Sequence, residues 1–294
     1  MKHYGALEAG GTKMVLSLLD ENGVMLERES IPTREPKETM PAMIDFFRAH
    51  PVSALGIGCF GPLDLNPASP TFGYITATPK LPWRFYPLAP ELKEALNVPV
   101  GLDTDVNGAA LAEATFGAAK GLDSCLYVTV GTGVGGGVYM GGKPVHGLIH
   151  SELGHQLMRE IPGDPAPEGF CPYHKGCLEG LACGVAIEKR WGVSAKALAP
   201  DHPAWDLEAG YLAQMCHDAM MAFSPEKIIL GGGVMQQTFL YPMIREKTLR
   251  LLGGYLCSPV VDNGLEDYIV APGCGVNSGV MGAYLLARQA EAEA

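Results

Sequence analysis

The chain has 294 residues, of which 47% are hydrophobic, and its 32 acidic and 21 basic residues give a formal net charge of -11. A chain of this length can bury a large core and lies near the size at which one core divides into two. The negative charge disfavours binding to nucleic acid or to an anionic membrane. The sequence contains neither the apolar core of a signal peptide nor a run of eighteen apolar residues. We therefore expect a soluble cytoplasmic protein that acts on small molecules.

The eight cysteines are scattered along the chain, and only Cys171 and Cys177 lie close together. Disulfide bonds are typical of exported proteins, and this sequence shows no export signal. We therefore expect reduced thiols or metal ligands.

Two stretches of the chain share a pattern in which a glycine-rich turn joins two strands. The first stretch covers residues 3–19, with its turn at 10–13. The second covers residues 125–142, with its turn at 131–137 and its second strand beginning at Val138. Because each hairpin opens a long run of mixed strands and helices, we expect two lobes of related design.

The predicted first lobe comprises residues 1–117 plus about 276–294, and the second lobe comprises residues 118–275. The other predicted elements, in chain order, are a helix at 39–47, a strand at 54–60, a loop at 61–64, a strand at 99–102, a helix through 109–113, a strand at 227–230 that leads into glycines, and a helix at about 276–290.

Three glycine turns at strand ends are candidates for nucleotide binding. Bare backbone amides can approach phosphate oxygens closely, and a neighbouring hydroxyl adds a donor. A single glycine turn is commonplace in hairpins, but three of them favour a nucleotide site, although the spacing is that of neither a P-loop nor a dinucleotide fingerprint. The candidate residues are Gly10, Gly11, Thr12 and Lys13 in the first turn, Gly131, Thr132 and Gly133 in the second, and Gly231, Gly232 and Gly233 in the third.

Asp105 lies at the junction between a predicted strand and a predicted helix. Its carboxylate could cap the helix, although Asp103 or Thr104 could also do so. A phosphotransferase that acts on an alcohol needs a carboxylate to orient the hydroxyl and to take its proton. Local sequence leaves the two roles of Asp105 equally supported.

A cluster of soft ligands in the second lobe predicts a zinc site. A C-x-x-H-x-x-C segment lies downstream of a further histidine, and thiolates and imidazoles at these intervals can complete a tetrahedral site. The alternative is a chance cluster of buried thiols and a surface histidine. Four protein ligands leave no position for water, so the zinc would be structural, and His146 and His150 are interpreted as ordinary loop or surface residues. The predicted ligands are His155, Cys171, His174 and Cys177.

Glu152 and Glu179 flank this segment. They could be simply solvated, but two carboxylates can also accept hydrogen bonds from the vicinal hydroxyls of a sugar.

Taken together, these motifs resemble the ROK family of sugar kinases and repressors. The resemblance covers nearly the whole chain in the family's order, and within the family it is strongest to the bacterial fructokinases. The motifs that carry it are Glu8-Ala9-Gly10-Gly11-Thr12-Lys13, Gly61-Pro62-Leu63-Asp64, Asp105-Val106-Asn107, Gly131-Thr132-Gly133-Val134-Gly135, Glu152-Leu-Gly-His155, Cys171-x-x-His174-x-x-Cys177, Cys177-Leu178-Glu179 and Gly231-Gly232-Gly233-Val234.

The resemblance implies an α/β protein with the two-lobed actin-like ATPase (ribonuclease H-like) fold, with a sugar bound in the cleft between the lobes. It also implies Mg-ATP as the phosphoryl donor, with Mg²⁺ as the catalytic ion, and a homodimer. Asp105 falls on the family's catalytic base. The implied substrate-binding residues are Thr104, Asp105, Glu152, His155 and Glu179, and His155 would also bind the zinc ion.

Three positions depart from the glucokinase branch of the family, and one departs from the commoner zinc arrangement. Thr104 stands where the glucokinase branch usually has Asn, Ser151 where it has Gly, and Glu8 where it has Asp, while His174 replaces a thiolate of the C-x-C-x4-C zinc arrangement. These departures argue against glucose, so we expect a fructokinase that forms fructose 6-phosphate. Glucokinase, mannokinase and broad hexokinase activity are the alternatives.

Two alternative functions outside the class of enzymes are a sugar-responsive repressor and a non-catalytic sugar sensor. The family's repressors carry a helix-turn-helix before the kinase-like region, and the first hairpin here opens too early in the sequence to leave room for one. The presence of Asp105 and of all three glycine turns argues against a sensor.

Overall fold

The structure is a computed structural model that describes residues 2–294. These residues form two compact units. The first contains residues up to 117, together with 143–151 and 276–294, and the second contains 118–142 and 152–275. The short segment 143–151 thus lies with the first unit, whereas the division made from the sequence placed it in the second.

The strands carry labels in chain order. They are β1 (His3–Ala9), β2 (Lys13–Asp20), β3 (Met25–Pro32), β4 (Ala54–Cys59), β5 (Val100–Thr104), β6 (Ser124–Val130), β7 (Val134–Met140), β8 (Lys143–Pro144), β9 (Ile228–Gly231) and β10 (Ile269–Val270).

The α-helices follow the same convention. They are α1 (Pro36–Ala49), α2 (Leu88–Leu96), α3 (Asp105–Thr115), α4 (Leu178–Leu181), α5 (Gly184–Trp191), α6 (Ala204–Ala222), α7 (Leu240–Leu252), α8 (Pro259–Asp262) and α9 (Ser278–Glu293). Single 3₁₀ turns occur at Leu81–Trp83, Leu153–His155, Ala195–Ala197, Val234–Gln236 and Gly275–Asn277.

The first unit is built on a five-stranded sheet in the order β3-β2-β1-β4-β5. Its first three strands are antiparallel neighbours, and β1, β4 and β5 run parallel. Alternate residues of a strand face opposite sides of the sheet. Leu7 therefore packs in one core with α1 and α2, while Ala6 packs in another with Tyr284 of α9. The sheet is consequently covered by helices on both faces.

Helix α9 lies unusually close to the first sheet because glycines face it. A Cβ atom at Gly56 would overlap the carbonyl group of Ala283, and one at Gly101 would overlap that of Leu286. The contact between α9 and α3 is equally close, since a Cβ at Gly282 would overlap the backbone of Gly108. These glycines are therefore required by packing.

The sheet of the second unit contains β10, β9, β6 and β7 in that order. Strands β6 and β7 form an antiparallel hairpin, and β9 runs parallel to both β6 and β10. Its core includes α6, whose Trp205 and Tyr211 are almost completely buried. Within residues 2–294, no helix has the length and apolar character needed to span a membrane.

The structure corrects one boundary in the second hairpin. The sequence predicted a turn at 131–137, but β7 begins at Val134, so three of those glycines belong to the strand. The register pairs Tyr127 with Gly137 and Val128 with Gly136. A Cβ at Gly136 would lie 3.0 Å from that of Leu153. The glycines therefore make room for a packed segment.

Candidate active site and metal cluster

Three parallel strands of the first unit end in the same row of the sheet. Ala9 of β1 pairs with Cys59 of β4, which pairs with Thr104 of β5. The residues that follow these strand ends therefore emerge along one edge. They are Gly10, Phe60 and Asp105. The first glycine turn and the predicted catalytic base thus lie at the same edge of one sheet.

The structure assigns the helix cap at this edge to Thr104. Its hydroxyl oxygen accepts a hydrogen bond from the backbone N–H of Asn107 at 3.1 Å, and α3 begins at Asp105. Asp105 Oδ1 accepts a hydrogen bond from the N–H of Val106 at 2.9 Å. Of the three candidates for the cap, Thr104 occupies it. Its neighbour Asp105 is not needed for that role.

Asp105 is a half-buried carboxyl group with a perturbed pKa. Desolvation raises its pKa to about 6, although hydrogen bonds from backbone amides act in the opposite direction. Glu8 near the end of β1 is also half-buried, and desolvation together with the charge of Asp105 raises its pKa. A carboxyl group whose pKa lies close to neutral pH is suited to accept a proton.

Two residues before the predicted base, the buried Asp103 organises a small polar network. Its Oδ1 accepts hydrogen bonds from the backbone N–H of Thr104 at 2.7 Å and from Nδ2 of Asn107 at 2.8 Å. Its Oδ2 lies 2.9 Å from Nε2 of His146. The hydrogen bond to Asp103 raises the pKa of His146, although partial burial opposes it. The network holds the start of α3 in place.

His150 differs from its sequence-based interpretation as an ordinary loop or surface residue. It is 5% exposed, and its Nε2 accepts a hydrogen bond from the backbone N–H of Leu63 at 3.0 Å. Burial lowers its pKa, so the ring is neutral at pH 7. Together with His146, which is exposed but paired with Asp103, it attaches the segment 143–151 to the first unit.

In the second unit, the glycine turn between β6 and β7 lies against a carboxylate. The backbone N–H of Val134 donates to Glu179 Oε2 at 3.0 Å, and a Cβ at Gly133 would overlap the same oxygen. The carbonyl of Gly131 accepts a hydrogen bond from the N–H of Gly184 at 2.7 Å. This turn thus fixes the orientation of Glu179, one of the predicted sugar-binding residues.

The third glycine turn follows β9 in the same unit. Gly232 has a backbone φ of +91°, which residues other than glycine rarely adopt. A Cβ at this position would also overlap the backbone of Val130. The turn therefore requires glycine for both conformation and space. Its sheet partner β6 leads into the second turn, so both turns leave neighbouring strands.

His155 ends a short 3₁₀ turn that packs on β7. A Cβ at Gly154 would overlap the carbonyl oxygen of Val134, and the N–H of His155 donates to the carbonyl of Glu152 at 2.9 Å. Further along, the N–H of Leu178 donates to the carbonyl of Gln156 at 2.9 Å. These contacts bring Glu152 and His155 together with the cysteine segment.

The four predicted zinc ligands form one cluster. Their ligand atoms all lie within 4.8 Å of one another. Nδ1 of His155 lies 3.8 Å from Sγ of both cysteines, and Nδ1 of His174 lies 3.8 Å from Sγ of Cys171. Zinc bond lengths in a tetrahedron correspond to N–S separations of about 3.6 Å. The donor set and its spacing therefore fit a four-coordinate metal ion.

Metal binding would change the protonation state of the buried Cys177. Desolvation raises the pKa of Cys177 to about 11, so without a metal ion it is a neutral thiol. A bound zinc ion displaces the thiol proton and takes a thiolate. Since Nδ1 of His155 faces the two sulfurs, its Nε2 is left for another partner.

Comparison with known proteins adds the family. A model of the ROK family matches residues 4–290 of this chain. The chain belongs to the ROK family. It is 48% identical to a fructokinase of Pediococcus pentosaceus over 97% of this chain and 98% of the relative. The predicted family is confirmed.

Solved structures support the fold of this ROK protein. A ROK hexokinase from Thermus thermophilus has a TM-score of 0.78 and 30% identity, and the match covers 99% of this chain and 100% of that one. A ROK glucokinase from Streptomyces griseus, solved with glucose and AMPPNP, has a TM-score of 0.78 and 26% identity over 98% and 99% of the two chains. The predicted actin-like ATPase fold is confirmed.

Lys80 is a residue of this ROK protein that sequence reasoning missed. It lies beside the first glycine turn, where a Cβ at Gly11 would be 2.8 Å from its Cε atom. Its Nζ lies 5.9 Å from the centroid of the Phe60 ring. Lys80 belongs to none of the glycine motifs, and the contact is formed by a loop that follows β4 at a distance in sequence. Only the fold reveals it.

Proposed function

We propose that this ROK protein is an ATP-dependent fructokinase, which converts fructose and ATP to fructose 6-phosphate and ADP. The observation that carries the proposal is Asp105, a carboxyl with a pKa of about 6 at the sheet edge that also bears the first glycine turn. The Pediococcus relative, 48% identical over nearly the whole chain, is named a fructokinase. That name supports fructose as the acceptor.

Asp105 acts as the general base in this reaction. At pH 7 it is mostly ionised, because its pKa of about 6 lies below that value. It accepts the proton of the attacking sugar hydroxyl as the hydroxyl oxygen bonds to the γ-phosphorus. The bond between the γ-phosphorus and the bridging oxygen breaks, and ADP leaves with its electron pair. Mg²⁺ enters with ATP as part of the substrate and offsets phosphate charge.

The nucleotide is held by backbone amides and nearby side chains of the glycine turns. Gly10, Gly11, Thr12 and Lys13 bind its phosphates at the edge of the first sheet, and the turns of the second unit contribute further contacts. The structure of the Streptomyces relative with AMPPNP supports an ATP site in this family. The second-unit residues in this proposal are Gly131, Thr132, Gly133, Gly231, Gly232 and Gly233.

The sugar hydroxyls are recognised by Thr104, Glu152, His155 and Glu179. Glu179 is oriented by the amide of Val134, and His155 presents its Nε2. A zinc ion held by His155, Cys171, His174 and Cys177 would fix the imidazole through Nδ1 and keep the other ring nitrogen aimed at one hydroxyl. Zinc then has a structural role, and no step of phosphoryl transfer passes through it.

The test is a sugar panel with an ATP-consumption assay. kcat/KM for fructose, mannose and glucose is measured side by side, with product identified as the 6-phosphate. We expect fructose to exceed both aldoses by more than tenfold. No ATP consumption with any sugar would reject the kinase, and equal values for the three sugars would reject the fructokinase assignment.

A broad hexose kinase is the second candidate. It is favoured by the likeness to the hexokinase of Thermus thermophilus, at 30% identity. The same panel separates the two, because a broad enzyme would treat fructose and mannose alike. The homodimer, the cytoplasmic location and the absence of nucleic-acid binding remain predictions, of which sedimentation equilibrium tests the first directly.

A further inference from the structure

Lys80 is a cation held in a defined position at the edge of the first sheet. Its stem passes Gly11, and its ammonium lies 5.9 Å from the centroid of the Phe60 ring. Phe60 is in turn fixed by an edge contact with Trp83, whose ring centroid lies 6.2 Å away. Trp83 is 2% exposed, and its Nε1 donates to the carbonyl of Arg34 at 2.7 Å. Packed aromatic rings therefore support the charged group.

Lys80 lies at the sheet edge that bears both the first glycine turn and the predicted base. The row Ala9, Cys59 and Thr104 places the three strand ends side by side. Neighbouring strands are about 4.8 Å apart, so the ends of β1 and β5 are separated by about 10 Å. Phe60 follows the middle strand, β4, and the ammonium of Lys80 lies over the Phe60 ring. The ammonium thus lies beside the first glycine turn and over the ring that follows the middle strand.

We propose that Lys80 contacts the transferring phosphoryl group and is a further catalytic residue of this enzyme. The proposal rests on the kinase function given above. The phosphoryl group travels from a nucleotide held by the turn at 10–13 to a hydroxyl beside Asp105. Its transition state spreads negative charge over three equatorial oxygens, and a cation placed in advance along that path stabilises them.

A purely structural role explains the surroundings of Lys80 less well. A cation near an aromatic ring at a partly exposed site contributes little to the stability of a protein. Among residues 2–294, no carboxylate forms an ion pair with Lys80, so no negative charge of the protein neutralises it. An uncompensated ammonium beside a glycine turn is suited to an anionic ligand.

The test compares Lys80→Met with Lys80→Arg and with Lys93→Met. Methionine keeps the stem that packs on Phe60 but removes the charge, and arginine restores it. Lys93 is an exposed lysine on α2 of the same unit and serves as the matched control. We expect Lys80→Met to lower kcat about 100-fold with KM for fructose changed less than threefold. The kcat of Lys80→Arg should be at least tenfold higher than that of Lys80→Met. Lys93→Met should have the kcat and KM of wild type.

Inhibition by fructose 6-phosphate supplies a readout that a structural role would not change. Lys80→Met should weaken this inhibition about tenfold while its melting temperature stays within 2 °C of wild type. Should the methionine variant fail to fold, Lys80→Gln is measured in its place. A folded variant with wild-type kcat and wild-type product inhibition would overturn the role of Lys80. If wild type itself phosphorylates no sugar, the proposed function fails instead, and the two failures are thereby distinguished.

Discussion

The two glycine turns that join strands in a hairpin look alike in sequence but have opposite charges beside them. Lys80 lies against Gly11 in the first unit, whereas the carboxylate of Glu179 lies against Gly133 in the second. The carboxylate also accepts a hydrogen bond from the amide of Val134 at 3.0 Å. The first turn is thus paired with a cation and the second with an anion.

This difference shows that a repeated backbone pattern need not repeat a task. A cation beside the first turn suits phosphoryl charge, while the carboxylate oriented by the second turn suits the hydroxyl groups of a sugar. Changes at the first turn should therefore act mainly on kcat. Changes at the second should act mainly on KM for the sugar.

The largest effect is expected for Asp105→Asn, which removes the base from the edge that bears the first turn. The amide is similar in size but cannot accept the proton, so kcat should fall about 1,000-fold. The variant should still bind sugar and melt near the wild-type temperature, because Thr104 caps α3 independently. Steady-state kinetics and thermal melting measure both. Wild-type turnover in a folded variant would show that another group is the base.

The second-largest effect on activity is expected for the metal cluster in the second unit. Metal analysis should find about one zinc per chain in the purified protein. Replacing both Cys171 and Cys177 with Ser should remove the zinc and lower kcat/KM about 10- to 100-fold through loss of the His155 orientation. Cys257→Ser, an exposed cysteine away from the cluster, is the matched control. A zinc-free double variant with normal kinetics would leave His155 without a metal-dependent role.

The sharpest test of the difference between the first and second glycine turns uses two glycine-to-alanine changes. A Cβ at Gly11 would displace Lys80, and one at Gly133 would displace Glu179. We expect Gly11→Ala to lower kcat about tenfold and Gly133→Ala to raise KM for fructose about tenfold.

Gly147→Ala is the control for this pair, because no heavy atom lies within 4 Å of a Cβ placed there and Gly147 belongs to none of the proposed binding turns. Steady-state kinetics with fructose and Mg-ATP compare the three variants. The same kinetic change in Gly11→Ala and Gly133→Ala would show that the two turns share one task.

The smallest effect is in the pH dependence. Asp105 must be ionised to accept a proton, and its pKa is raised to about 6. kcat/KM should therefore rise as the pH increases through 6, and at pH 6 it should be about twofold below its plateau. The profile is measured on wild type at pH values where the protein stays folded. An acidic limb centred below pH 5 would mean that the titrating base is an ordinary exposed carboxyl.

Much of the fold follows from local patterns. The strands β1, β2 and β4 were predicted within two residues, because apolar runs end at glycines or at charged turns. The start of β7 was missed because glycines normally signal a turn, whereas here they leave space for Leu153. Only tertiary packing distinguishes those two uses of glycine.

The candidate site was predictable to the extent that its residues share short segments. The zinc cluster joins His155 to a motif only sixteen residues away, and the spacing of soft ligands was a sufficient signal. Lys80 and His150 gave no such signal, because each acquires its partner through loops that converge only in the folded chain. The cap at Thr104 required an observed hydrogen bond, since three neighbouring residues could supply one.

The close approach of α9 to the first sheet has a consequence for biosynthesis. The face that carries Tyr4, Ala6 and Val15 is covered by residues 278–293. While the ribosome is still translating the intervening segments, that apolar face has no cover. The second unit contains no residue beyond 275, so it can complete its core first. The part of the molecule that bears Asp105 is therefore the last to be finished, although its first strand is among the earliest segments made.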